Sequence, residues 1–274
     1  MNDNRILWRA IPILIAIVVV VFQQCSAEKF VNEAGRTVKV GLNPSQEAAL
    51  GIQAYREVLS QNQVINYGPE YEMVRRCASR LSAATGKAGS NFKWEVSVVR
   101  SQQVNAFCLP GGKIVVYTGI LPVARSEAGL AVVLGHEMAH ATLRHGSERI
   151  LQQQSANTIL TGVNFSIGDM DYNQQRVIMG ALGAGAQYGV LNPFGRDQES
   201  EADAIGLKYM ARAGYDPTEA LSFWKRMSST GGKSPPEFLS THPSHETRIH
   251  DLEQRMPQAI QIYKEAAGAL PPGQ

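Results

Sequence analysis

A histidine pair inside an apolar segment limits what this chain can fold into more than any other feature of its sequence. His136 and His140 enclose Glu137 in a run, residues 128–143, whose other members are nearly all small or apolar. This run predicts a buried helix that begins after an N-cap at Ser126. Burying these polar groups without partners is costly, and a divalent metal would remove that cost. Residues i and i+4 share a helix face, so both imidazoles can bind one zinc ion while Glu137 remains free to act as a base.

A third ligand is needed, because catalytic zinc sites usually take three protein ligands and keep one position open. Downstream, the acidic segment 197–203 begins a second predicted helix, and Glu199 and Asp203 share one of its faces. Glu199 is predicted as the third ligand and Asp203 as the acceptor of a ligating histidine's free N–H. Glu201 projects from another side of the helix and is less favoured. Taken alone, the histidines also suit a satisfied core, and the acidic residues a solvated helix start.

The order of predicted elements defines the expected fold class. These elements are helices 45–59 and 69–84, strands 94–99, 106–109 and 114–117, the H-E-x-x-H helix, and helices 197–213, 217–227 and 245–255. Residues 162–173 are predicted as a polar loop. The order matches an α+β fold, a mostly helical zincin-like metallopeptidase domain with a small β-sheet.

Two further motifs complete a family pattern. They are Asn105-Ala106-Phe107-Cys108-Leu109-Pro110-Gly111-Gly112-Lys113 with Tyr117-Thr118-Gly119, and Thr241-His242-Pro243-Ser244 with Arg248. Together with H-E-x-x-H and E-x-x-x-D, in this order along the chain, they resemble the M48 metallopeptidases, and in particular the Oma1-like and small periplasmic branch. The resemblance implies a zinc-dependent metalloendopeptidase with one Zn²⁺ ion per chain.

The resemblance also implies roles for single residues. A zinc-activated water is expected to attack the peptide carbonyl with Glu137 as general base. His242 and Arg248 are expected to be catalytic, as electrophiles that stabilise the oxyanion. Alternatively, His242 occupies the open zinc position and keeps the enzyme latent. Substrate is expected to lie along an edge strand at Asn105, Ala106 and Phe107. The remaining histidines are expected to be surface or structural residues: His145, His245 and His250.

The N-terminus predicts export. Arg5 and Arg9 precede an uninterrupted apolar stretch over residues 10–22. A small-x-small pattern ends at Ala27. Residues 1–27 are therefore predicted as a cleaved signal peptide, with an uncleaved membrane anchor and a lipoprotein at Cys25 as alternatives. The peptidase domain is expected over 28–267, followed by a disordered tail over 268–274.

Export implies an oxidising cell-envelope compartment, such as the periplasm, in which Cys77 and Cys108 either pair or remain two buried thiols. The formal net charge of +2 gives no nucleic-acid footprint. The expected partners are protein or peptide substrates, including misfolded envelope proteins, and the chain is also expected to associate with the membrane. The predicted function is a zinc metalloendopeptidase of the cell envelope in protein quality control. The alternative is a latent or non-proteolytic zinc-containing chaperone or binding module.

Overall fold

The computed structural model describes residues 3–186, 195–230, 236–242 and 247–269. In chain order, the helices are α1 (Asp3–Ser26), α2 (Pro44–Ser60), α3 (Pro69–Ala84), α4 (Leu121–Ala124), α5 (Glu127–Thr142), α6 (His145–Ser166), α7 (Tyr172–Ala186), α8 (Arg196–Arg212), α9 (Glu219–Ser229), α10 (Glu237–Thr241) and α11 (Arg248–Ala269). The strands are β1 (Glu28–Val31), β2 (Thr37–Val40), β3 (Val64–Ile65), β4 (Glu95–Val99), β5 (Ala106–Leu109) and β6 (Lys113–Tyr117). The predicted fold class, mostly helical α+β, is confirmed.

The chain divides into two compact units. The first comprises Met1–Val31, Thr37–Asn43 and Gly146–Pro193. The second comprises Asn32–Arg36, Pro44–His145 and Phe194–Gln274.

The first unit contains α1, most of α6, α7 and the antiparallel hairpin of β1 and β2. α1 lies against α6 at Gly162, where an added Cβ would come within 2.6 Å of the Ala16 Cβ. The Arg9 guanidinium also donates to the Asp169 carboxylate, with Nη2 2.7 Å from Oδ2. α1 is long and apolar enough to cross a membrane.

The predicted loop 162–173 is wrong for most of its length, because α6 continues to Ser166 and α7 begins at Tyr172. The polar residues that suggested a loop are accommodated within the helix. The Ser166 hydroxyl donates to the Gly162 carbonyl oxygen at 2.9 Å. Gly162 itself is required where α1 approaches most closely.

The second unit holds a four-stranded sheet in the order β3-β4-β6-β5. β4 and β6 run parallel, and the other pairs are antiparallel, so β5 forms an edge of this sheet. α3 and α5 pack with the sheet around a hydrophobic core. The largest fully buried members of that core are Leu81, Ile114, Ile120, Leu130, Leu134, Met138, Leu143, Tyr209, Phe223, Trp224 and Phe238.

Helices α5 and α8 cross in close contact through a pair of glycines. A Cβ added at Gly206 would lie 2.8 Å from the backbone carbon of Gly135 and 2.8 Å from the backbone nitrogen of His136. Glycine is costly inside a helix, and close backbone approach accounts for it at both positions. The crossing brings the polar face of α8 against the two histidines of α5.

Two other expectations are corrected. Helix α11 continues to Ala269 instead of ending near Arg255, because buried Met256 and Ala259 keep it packed on either side of Pro257. Cys77 and Cys108 are both free thiols, so the disulfide alternative is wrong. Burial raises the pKa of the Cys77 thiol to about 12. The predicted cap at Ser244 and residues 270–274 of the predicted tail lie outside the described residues.

Candidate metal centre and active site

Four buried side chains from three parts of the second unit converge on one point. They are His136 and His140 on α5, Glu199 on α8, and His242, which follows α10. Each offers a ligand atom, and these atoms all lie within 4.8 Å of one another. The predicted ligands His136, His140 and Glu199 are thus brought together, and His242 joins them.

The spacing of these atoms fits a metal ion. Tetrahedral zinc with bonds of about 2.0–2.2 Å separates its ligand atoms by about 3.3–3.6 Å. The His136 and His140 Nε2 atoms are 3.1 Å apart. Glu199 Oε2 lies 3.5 Å from His136 Nε2, and Glu199 Oε1 lies 3.3 Å from His140 Nε2. Nitrogen and carboxylate donors of this type suit zinc.

The cluster also contains an ionised carboxylate. Burial alone would raise the pKa of Glu199, but His136, His140 and His242 hold it well below its usual range. Burial lowers the pKa of His136, yet Glu199 and Asp203 more than offset this and raise it to about 9. Burial holds the pKa of His140 well below its ordinary value. Glu199 is therefore ionised inside the cluster, where a divalent ion would compensate its charge.

Asp203 and Arg248 support the ligands from behind. Asp203 Oδ1 lies 2.9 Å from His136 Nδ1, as expected for an acceptor of the ring N–H. Arg248 Nε donates to Asp203 Oδ2 at 2.7 Å, and its Nη2 donates to Glu199 Oε2. The Arg248 guanidinium is buried and stacks on Trp224, 4.0 Å from the ring centroid. Trp224 could not be predicted as part of the site, since a single tryptophan on an apolar helix face gives no signal beyond core packing.

Glu137 lies beside the cluster with a free oxygen. The residue is 3% exposed, and its Oε1 makes no hydrogen bond although it lies 3.3 Å from His242 Nε2. Burial raises the pKa of Glu137. The backbone amide of Cys108, on edge strand β5, partly counteracts this rise. The position suits a group that exchanges protons with a molecule not yet in place.

The residues predicted to bind substrate lie at the start of β5. Ala106 is buried, whereas Asn105 and Phe107 are partly exposed. The Phe107 ring contacts Tyr117, with ring centroids 6.0 Å apart. Because Cys108 on the same strand reaches Glu137, this edge of the sheet faces the candidate site.

The other histidines are distributed unevenly. His250 is exposed, and His245 lies outside the described residues. His145 is fully buried beside His140, so of the two expected positions, surface or structural, it takes the structural one. Glu201, the less favoured ligand candidate, contacts His145 and stays outside the four-residue cluster. The spacing of these residues does not predict either contact of His145, because His140 and Glu201 lie on helices other than its own.

An α+β domain whose H-E-x-x-H helix meets a buried glutamate on a second helix defines a metallopeptidase class of protein. The match to the model of peptidase family M48 covers residues 70–256, and the chain belongs to this family. Membership places it among peptide hydrolases.

Named relatives agree with this assignment. The mitochondrial metalloendopeptidase OMA1 of Schizosaccharomyces pombe is 37% identical over 81% of this chain and 64% of its own length. The Saccharomyces cerevisiae OMA1 is 31% identical over 80% of this chain and 66% of its own. The beta-barrel assembly-enhancing protease of Yersinia pestis is 30% identical over 85% of this chain and 48% of its own. The chain thus spans less than two thirds of each relative.

Proposed function

We propose that this protein is a zinc-dependent metalloendopeptidase of the cell envelope, acting in protein quality control. The observation that carries the proposal is the convergence of His136, His140 and Glu199 on one point, with Glu137 beside them. Family membership and the names of the relatives support the same reaction class. Those three ligands would hold the ion, and His242 is a candidate fourth donor.

The chain's own residues account for the proton transfers. Zinc, when bound, polarises the peptide carbonyl and makes water nucleophilic near neutral pH. Glu137 accepts a proton from the attacking water and delivers it to the departing amine, for which its raised pKa is suited. Asp203 holds the N–H of His136, and Arg248 keeps Asp203 and Glu199 ionised and oriented. Arg248 is buried and bonded to both of these carboxylates, so we assign it a positioning role.

Substrate would bind as an extended strand along the edge that begins at Asn105. Main-chain hydrogen bonds to β5 would bring the scissile bond towards Glu137, because the Cys108 amide already faces that carboxylate. Such binding depends little on side-chain identity and suits unfolded protein segments. The name of the Yersinia pestis relative, a beta-barrel assembly-enhancing protease, supports protein substrates. We propose misfolded envelope proteins as their class.

The Glu137→Gln variant tests the peptidase function. It keeps the size of the side chain and removes the base, so we expect one zinc per chain to be retained while kcat on an unfolded protein substrate falls by at least about 10²-fold. Zinc is measured by elemental analysis and cleavage by gel electrophoresis. Glu70→Gln, an exposed change on α3, is the matched control and should cleave normally.

Two outcomes would contradict the proposal in different ways. Cleavage by Glu137→Gln at the wild-type rate would remove Glu137 from the mechanism. Wild-type protein that binds zinc but cleaves nothing under any condition would favour the non-proteolytic binding module, which the presence of His242 in the donor cluster makes the second candidate.

A further inference from the structure

His145 occupies an unusual place for a histidine with no assigned role. It is 0% exposed, and its Nδ1 lies 2.9 Å from Nδ1 of His140, the ring nitrogen that faces away from the donor cluster. Its other nitrogen, Nε2, lies 3.1 Å from Glu201 Oε2. The imidazole therefore stands directly between a candidate ligand and a carboxylate.

The backbone before His145 is held in a conformation that few residues adopt. Arg144 has a φ of +60°, in the left-handed region that residues other than glycine rarely adopt. Its guanidinium is buried and paired with Glu47, with Nη2 2.9 Å from Oε1. This sharp turn between α5 and α6 directs His145 back towards His140. The strained residue thus serves the placement of His145.

Glu201 is fixed in turn by a short connection, residues 32–36. The Asn32 amide donates to Glu201 Oε2 at 2.8 Å, and Arg36 Nε donates to Glu201 Oε1. The same Asn32 side chain accepts the backbone N–H of Arg36 at 2.9 Å, which closes the turn. Glu33 in this turn accepts a hydrogen bond from the Tyr209 hydroxyl on α8 at 2.7 Å. The Glu201 carboxylate is therefore held by Asn32 and Arg36 as well as by His145.

The hydrogen bonds of this chain of residues can run in one direction only. If His140 Nε2 binds the metal, its ring proton is on Nδ1 and must be donated to His145 Nδ1. His145 then carries its own proton on Nε2 and donates it to Glu201. An acceptor-only carboxylate at the end fixes the tautomer of both rings.

We propose that His145 and Glu201 form a positioning relay that fixes the tautomer and orientation of His140 for metal binding. The inference rests on the proposed zinc-binding role of His140. It makes the two histidine ligands unequal, because His136 is oriented directly by Asp203, whereas His140 is oriented through a second imidazole. The relay also connects His140 to the turn at 32–36 through Glu201. A carboxylate bonded directly to His140, as Asp203 is to His136, would not make this connection.

Zinc affinity of the full chain, measured by competition with a chromophoric chelator, tests the relay. His145→Leu removes both hydrogen bonds and should weaken zinc binding by about 10- to 100-fold. His145→Asn keeps an acceptor at the Nδ1 position and should recover most of that loss. Ser147→Ala, two residues along α6, removes a buried hydroxyl that accepts the Leu42 N–H and should leave zinc affinity unchanged. The absorption spectrum of cobalt-substituted protein should change in His145→Leu alone.

Nitrogen-15 NMR of the histidines in zinc-loaded wild-type protein provides a test that no variant can spoil by failing to fold. We expect His140 to be protonated at Nδ1 and His145 at Nε2 alone. A proton on His145 Nδ1, or zinc affinity in a folded His145→Leu variant within twofold of wild type, would overturn the relay. Wild-type protein that binds no zinc would instead overturn the proposed metal site itself.

Discussion

At the scale of single residues, we expect His242 to control access to the candidate site. Its Nδ1 lies 3.3 Å from His136 Nε2 and 3.0 Å from Glu199 Oε1, where a fourth donor would stand. The Phe238 ring stacks on its imidazole, with centroids 4.7 Å apart. Its Nε2 faces Glu137. One side chain thus covers both the fourth donor position and the proposed base, which favours a resting state closed to substrate.

The His242→Ala variant separates the two roles expected for this residue. If His242 blocks the site, its removal should raise kcat/KM for an unfolded substrate several-fold at saturating zinc, because substrate and water no longer compete with the imidazole. Zinc affinity should fall at the same time, since a donor is lost. His250→Ala, an exposed change on α11, should alter neither quantity. A lower kcat/KM for His242→Ala would instead assign His242 to transition-state stabilisation.

The residues that could be predicted from sequence are those whose relation is local. His136 with His140, and Glu199 with Asp203, are each four apart on one helix, so helix geometry places them together before any tertiary contact forms. Trp224 and Glu201 reach the site through contacts between helices far apart in sequence. His145 is only five residues from His140, but it reaches that ring because the chain turns at Arg144 between the two helices. Their pairing follows from how the helices pack, and no spacing encodes it.

At the scale of elements, the site depends on how closely α5 and α8 approach. Glu199 and Asp203 meet the histidines because Gly206 lets α8 contact the α5 backbone at Gly135 and His136. Both glycines are helical and lie in the regions where φ is negative, so backbone freedom does not explain them. The two glycines are explained by their lack of a side chain, which lets the helix backbones come into contact. The crossing thus sets the distance between the ligands of one helix and those of the other.

Gly206→Ala tests this crossing. The added Cβ would lie 2.8 Å from backbone atoms, so the helices must separate. We expect the free energy of unfolding to fall by about 1–3 kcal/mol, as for other overpacked cores, and zinc affinity to fall with it. Gly180→Ala on α7 is the matched control, because its Cβ would meet nothing within 4 Å and alanine favours a helix. Urea denaturation and chelator competition measure the two effects. A Gly206→Ala protein as stable as wild type would show that α5 and α8 can accommodate the extra methyl group without loss of packing.

Element boundaries were less predictable than element types. The strands and the helices with strong apolar periodicity lie where the sequence placed them, to within a few residues. The polar end of α6 has the composition of a loop, because its hydroxyls could bond the backbone of a turn. In the structure they bond the helix's own carbonyls instead. The extension of α11 past Pro257 depends on burial of Met256, which local sequence does not reveal.

At the scale of the whole molecule, the N-terminal helix raises the question of where the protein resides. In the first unit, α1 makes specific contacts with α6 and the connection that follows it. Arg9 forms a bidentate pair with Asp169, and Gln24 donates to the Ser155 hydroxyl at 3.1 Å. Ala16 is 5% exposed against Gly162. On the basis of these contacts we propose that α1 is a membrane anchor that stays packed on the first unit, the alternative to a cleaved signal peptide.

The opposite face of α1 fits the same conclusion. Large apolar side chains are exposed there, including Trp8, Leu14, Val18 and Phe22, each more than half accessible. A water-soluble protein seldom leaves so continuous an apolar surface uncovered, whereas a lipid bilayer would bury it. We therefore expect the expressed protein to keep residues 1–27 and to stay with the membrane fraction after alkaline carbonate extraction.

Intact-mass spectrometry decides between the two fates of the helix. Ala27→Gln disrupts the small-x-small pattern that a signal peptidase would need. If α1 is an anchor, the wild-type protein and this variant should both retain residues 1–27 and fractionate alike. A wild-type chain beginning at Glu28, with only the variant keeping its helix, would refute the anchor. The packing of α1 on α6 would then describe only the precursor, and the peptidase unit would act free of the membrane.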